Sequence, residues 1–156
     1  MIREEIAKAS LAKEKQDSSA LNKLFKEFKE NDFIFLEGNK KNLPTKIVVS
    51  DPDCPYCREH LSKIEKELET SNIKLIFAPV HDKNAFIKSQ LAMQEISKLP
   101  QHDTPAKLKV LRKYYQNIKL NTQEMKTDYS QITKNKEKIF ASGIIRGVPF
   151  IFEEQQ

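Results

Sequence analysis

Two cysteines, Cys54 and Cys57, bracket Pro55 and Tyr56, and they are the only cysteines in 156 residues. Thiols at this spacing can close into a reversible disulfide or supply half of a tetrahedral zinc site. Zinc takes four ligands, and without a second cysteine pair His60, His81 and His102 would have to complete the set. Taken singly, each of these histidines reads as a surface or capping residue. Covalent haem attachment needs a histidine directly after the second cysteine, and position 58 is arginine. A proline between the thiols, in a strand-to-helix setting, favours redox chemistry, so neither a metal nor another cofactor is expected. Two cysteines packed only for their bulk are the remaining alternative.

The sulfurs need a frame to hold them. Lys46-Ile47-Val48-Val49 is a β-branched run that reads as a buried strand, and Asp51-Pro52-Asp53 ends it. An amphipathic helix follows from Pro55 to about Thr70, and Ile73 to Pro79 reads as the next strand. Residues 46–79 therefore predict a β-α-β unit with parallel strands. In that unit Cys54 is the helix N-cap and Pro55 takes the first helical position, where its missing N–H costs nothing. The free amides of Tyr56 and Cys57 then face the Cys54 sulfur. A helix terminus favours an anion there by about 0.3–1 kcal/mol when exposed and up to ~2 kcal/mol when partly buried. Asp53 opposes this, since a unit charge ~4 Å away is worth about 1 kcal/mol in water, and its carboxylate is expected to point to solvent. Cys57 shares a helix face with Leu61, Ile64 and Leu68, which predicts an exposed Cys54 above a buried Cys57. An accessible thiolate that attacks and a shielded thiol that resolves suit thiol–disulfide exchange.

Further elements surround this unit. The first thirty residues read as helix, loosely striped by Ile2, Ile6 and Leu11, then sharply by Leu21, Leu24, Phe25 and Phe28 behind a Ser18 or Ser19 cap. Phe33 to Leu36 is a candidate strand, with a turn at Glu37-Gly38-Asn39. Three helical stripes lie between 84 and 138, and Asn121 with Glu124 resembles a capping box for the third. They are expected to cover one sheet face. Phe150-Ile151-Phe152 is a final short strand. The 27 basic and 22 acidic residues are interleaved along the chain, a pattern of solvated faces that predicts no nucleic-acid partner. No stretch approaches the ~18 apolar residues of a membrane helix. The N-terminus lacks the apolar core of a secretory signal, which predicts either a cytosolic protein or one whose signal has been removed.

Ser50-Asp51-Pro52-Asp53-Cys54-Pro55-Tyr56-Cys57 resembles the active-site segment of the thioredoxin-fold Dsb proteins, the DsbC/DsbG group in particular. Gly143-Ile144-Ile145-Arg146-Gly147-Val148-Pro149-Phe150 is similar to the loop that carries a cis-proline beside the disulfide in this superfamily. The likeness covers about residues 33–153. It implies an α/β thioredoxin-like fold with a helical insertion at about 84–138, a catalytic domain over 32–156, and a helical arm or linker over 1–31. It further implies Cys54 as nucleophile, Cys57 as resolving thiol, Pro55 and Tyr56 as tuners of redox poise, and Val148-Pro149 as the substrate-docking edge. A proline there has no N–H and holds Val148 extended, which suits strand addition by a peptide. The implied partners are unfolded or reduced proteins and a membrane redox partner of Dsb type, in the periplasm, with a homodimer formed through an N-terminal region outside this sequence. Valine before the proline is the DsbA-like choice, so oxidase and isomerase both stay open. So does a non-enzymatic, chaperone-like peptide-binding module of the same fold. The family adds a strand and a helix after the proline strand, so the sheet is expected to be one strand short.

Overall fold

The computed structural model describes residues 16–154, and the first of these already lie in a helix, α1, that runs to residue 26. The stripe at Ile2, Ile6 and Leu11 lies outside the described residues. Four strands form one sheet in the order β1-β3-β2-β4. They are β1 (Ile34–Leu36), β2 (Thr45–Ser50), β3 (Asn72–Phe77) and β4 (Phe150–Glu153). β2 and β3 run parallel from Thr45↔Asn72 to Ser50↔Phe77, as the β-α-β unit requires. β1 pairs antiparallel with β3, and β4 antiparallel with β2 from Lys46↔Glu153 to Val49↔Phe150. β4 is the outermost strand on its side among the described residues.

Neighbouring residues of a strand point to opposite faces, and here both faces are dry. Ile34, Leu36, Val48, Ile73, Leu75 and Phe77 enter one core, and Phe33, Ile47, Val49, Ile76, Ala78 and Phe152 enter the other. The first core is covered by α2 (Pro55–Ser62), α3 (Ile64–Glu67), α4 (Lys83–Ser97) and α5 (Thr104–Tyr114). The second is covered by α1 through Leu21 and Phe25, together with the end of α6 (Ser130–Ala141).

Three local expectations are corrected. The three helices beyond residue 83 do not share one face, because α6 places Ile132 in the first core and Ile139 in the second. The helix after Pro55 is broken at Lys63, where Ser62 Oγ donates to the Glu59 carbonyl at 2.6 Å. Such back-bonding bends helices. The Asn121–Glu124 box forms, with reciprocal bonds of 2.7 and 2.9 Å, but it leads into a short 3-10 turn at Glu124–Lys126 and not into α6. α6 starts only at Ser130, whose N–H donates to Asp128 Oδ1 at 2.9 Å. It ends before Gly143, whose φ of +74° is the left-handed conformation a helix stop favours.

Phe25 is 4% exposed and stacks on Phe152 with ring centroids 6.0 Å apart, so α1 contributes to the second core. Truncating a core Phe costs about 3–5 kcal/mol. Phe25→Ala should therefore lower stability by about 3 kcal/mol in urea unfolding, whereas the surface-like cost of under about 0.5 kcal/mol would place α1 outside the core.

Candidate active site

β2 delivers two buried polar residues to its end, Ser50 and Asp51, before the chain turns into α2. Within the turn the Cys54 N–H donates to the Asp51 carbonyl at 3.2 Å. Cys54 is the N-cap of α2 in an extended conformation (φ −82°, ψ 124°), and Pro55 follows at the first helical position. Cys57 lies one turn on, and both thiols are free.

The expected exposure of Cys54 is corrected: it is 6% exposed, against 0% for Cys57, while Pro55 and Tyr56 face solvent. The expected hydrogen bonds from helix amides to the Cys54 sulfur are also absent. The thiol donates instead to the Val148 carbonyl at 3.7 Å, and Val148 packs against the core cluster that holds both cysteines. That contact closes 94 residues of sequence. It joins the two motifs, and the Val148–Pro149 peptide bond is cis.

Burial pushes the Cys57 thiol up to about 12. The Asp51 backbone N–H and the Ser50 hydroxyl pull it down, and neighbouring Cys54 pushes it further up. Ser50 in turn shares a 2.6 Å hydrogen bond with the Tyr115 hydroxyl, which burial also drives upward. Asp51, fully buried, accepts from the Asp53 and Val80 N–H groups at 2.9 Å each and pairs with His81 Nδ1 at 2.6 Å.

Asp53 does not point to solvent. Its carboxylate pairs with Lys88, which is 3% exposed, and with Arg58 at 3.1 Å. Lys88 also donates to the Gln116 carbonyl at 2.9 Å, and Arg58 to the Pro52 carbonyl at 2.8 Å. The negative charge is thereby paired within the turn.

The other histidines each meet a separate carboxylate. His60 Nε2 pairs with Glu67 at 2.7 Å, which holds that carboxyl below its usual range, and His102 pairs with Glu37 at 2.6 Å. Among the described residues, no three His, Cys, Asp or Glu side chains gather as a metal would need. An open groove of about 430 Å³ beside the site is lined by Tyr56, Glu59, His60, Lys63, Glu67 and Pro149. Tyr56 is 72% exposed on its rim.

No family model and no curated protein matches this chain. Solved structures do. DsbG of Helicobacter pylori superposes with a TM-score of 0.80 at 25% identity, over 93% of this chain and 65% of that one. ScsC of Proteus mirabilis gives 0.64 at 16% identity over 98% of this chain and 80% of that one. A disulfide interchange protein from Neisseria gonorrhoeae gives 0.55 at 20% identity over 80% and 81%. The chain has the thioredoxin-like fold of the Dsb proteins. It spans about 65% of the length of the Helicobacter DsbG chain.

Within this Dsb-type fold, several polar residues around the cysteines have no motif in the sequence. Lys88 left a trace, since it stands among Ala85, Ala92 and Ile96 on the buried face of α4, where a cation needs a partner. Ser50 closes an otherwise apolar strand run. The partnership of Ser50 with Tyr115, 65 residues away, left none.

The raised Cys57 thiol has a consequence for stability. An ordinary thiol ionises near 9.0, whereas this one keeps its proton to about 12 in the folded chain. Between those values the native state binds more protons than the unfolded state, so stability is complete below about 9 and falls as pH rises. The reduced protein should lose urea resistance from pH 9 to 11 more steeply than Cys57→Ala. Parallel slopes for the two proteins would assign the effect to other groups.

Proposed function

We propose that the chain is a thiol–disulfide exchange protein in which Cys54 attacks and Cys57 resolves. The observation that carries this reading is the site's layout: one cysteine stands at the head of a helix with its sulfur under the Val148 carbonyl, and a second lies fully enclosed one turn below. Cys54 as thiolate attacks a substrate disulfide RS–SR′. The S–S bond breaks, R′S⁻ leaves and takes a proton from water, and Cys54 is joined to R. Cys57, deprotonated, then attacks the Cys54 sulfur and expels RS⁻. The products are the Cys54–Cys57 disulfide and two substrate thiols, with two electrons passed to substrate. Run backwards, the same steps oxidise a substrate dithiol, and the poise decides, at about 1.4 kcal/mol per 30 mV.

Substrate docks as an extended segment beside Val148, which lies just outside the paired register of β4. Pro149, lacking an N–H, adjoins the groove that also holds Tyr56, and that groove takes substrate side chains. Pro55 and Tyr56, exposed between the sulfurs, tune the poise. Residues 32–156 form the catalytic unit, preceded by segment 1–31 as an arm or linker. The substrates are cysteines of unfolded or reduced proteins in the periplasm, with recycling by a Dsb-type membrane redox partner. These assignments rest on the resemblance of the two motifs to Dsb proteins.

Cys54→Ser should abolish disulfide transfer to a reduced or scrambled protein, and Cys57→Ser should accumulate mixed disulfides on a non-reducing gel. Transfer by Cys54→Ser at the parental rate would sink the mechanism. A parent that binds unfolded peptide but exchanges no disulfide would instead identify a binding module.

A further inference from the structure

Asp51 stands where β2 gives way to the turn before Cys54, and it is fully buried. A carboxylate in such a place is costly unless its oxygens are bonded. Oδ1 accepts from the Asp53 N–H at 2.9 Å, which closes an Asx turn. The Asp51 carbonyl accepts from the Cys54 N–H at 3.2 Å, which closes a β-turn over Pro52 and Asp53. Oδ2 reaches the other way, to the connection between β3 and α4. There it accepts from the Val80 N–H at 2.9 Å and pairs with His81 Nδ1 at 2.6 Å. Two of the three groups on this carboxylate are therefore main chain. Among the described residues His81 is the one side chain bonded to Asp51, and it is 41% exposed.

We infer that His81 is a positioning residue for the nucleophile: it latches the Asp51 carboxylate, and the turn so fixed sets the Cys54 sulfur under the Val148 carbonyl. The inference rests on the exchange reading above and adds to it a residue that neither sequence motif contains. His81 acts through Asp51 and takes no part in the bond exchange itself. A carboxylate only accepts, so Nδ1 carries the proton of this pair, in the neutral ring and in the imidazolium alike. The latch is thus closed whether or not the ring is charged. Without it Oδ2 keeps one donor in place of two, and the carboxylate is drawn toward water. The same residue holds the Asp53 and Cys54 amides, so both turn bonds loosen with it. The sulfur then no longer rests at its 3.7 Å contact with Val148.

The charges on Asp53 do not replace this latch. Lys88 and Arg58 bind the Asp53 carboxylate, and Arg58 also donates to the Pro52 carbonyl at 2.8 Å. These contacts hold the middle of the turn. None of them is made to Asp51, from which both turn bonds spring. The exposure of His81 also separates its role from one in the core, because replacing a side chain that solvent already reaches opens no packing cavity.

The test is the reaction of the reduced full chain with a small aromatic disulfide at neutral pH, read beside urea unfolding. Attack by Cys54 releases one arenethiolate and resolution by Cys57 a second, so the first phase reports Cys54 alone. A hydrogen bond to a charged group is worth about tenfold or more in an equilibrium, so His81→Leu should slow the first phase by about tenfold. His81→Asn, whose side-chain N–H stands where the Nδ1–H does, should keep most of the parental rate. Asp51→Ala should slow the phase at least as much as His81→Leu, and adding His81→Leu to it should slow it no further, because residues that act through one bond are not additive. A parental first phase in His81→Leu would overturn the inference and leave the exchange reading intact. So would a His81→Asn variant as slow as His81→Leu, or losses that follow a lowered unfolding midpoint in every variant, which would be a purely structural role. A parent that releases no arenethiolate would remove the exchange reading itself, and this inference with it.

Discussion

Keeping the Cys57 sulfur out of water is the constraint around which this molecule is arranged. A thiol with no exposure resists ionisation because its anion loses hydration, and burial is the largest influence on it here. Chemistry at such a sulfur depends on fixed donors that take the place of water. The Asp51 N–H at the strand end and the Ser50 hydroxyl, itself bonded to Tyr115, are the groups that pull the thiol back down. Burial of this kind keeps a thiol protonated and unreactive, which suits the resolving role proposed for Cys57.

The same constraint explains why the helices beyond β3 belong to the site. Tyr115, whose hydroxyl bonds Ser50, directly follows α5, and α4 carries Lys88, whose ammonium joins Asp53 to the Gln116 carbonyl. The turn before Cys54 is therefore pinned to α4 and to the chain just after α5. A buried charge pair is costly to break by removing one member, more than it is rewarding to form. Asp53, a charge that would compete with a thiolate, is in this way converted into a fixed post for the turn.

The meeting of Cys54 with Val148 follows from sheet register. β4 runs antiparallel to β2 with Val49 opposite Phe150, so the residues before Phe150 continue past the end of β2 toward the turn that holds Cys54. The 3.7 Å contact is the result. α6 prepares this return by crossing from one core to the other, with Ile132 on one side of the sheet and Ile139 on the other. The groove between Tyr56 and Pro149 lies where these two chain segments come together.

What the sequence alone determined is what short-range chemistry determines. Proline at the first helical position, a β-branched run before it and an apolar face through Leu61, Ile64 and Leu68 locate the strand, the helix and Cys57's burial. Each depends on residues within a turn or a pleat of one another. The placing of Val148-Pro149 beside Cys54 was legible only through resemblance. Tertiary structure decided the rest: the cover over Cys54, the capture of Asp53 by Lys88, the pairing of Ser50 with Tyr115 and the crossing of α6 between cores. Periodicity says which side of an element is dry, but the partner of a buried polar group is chosen by packing between elements distant in the chain. A lysine inside an apolar stripe signals that some counter-charge exists, and only the folded chain shows which carboxylate supplies it.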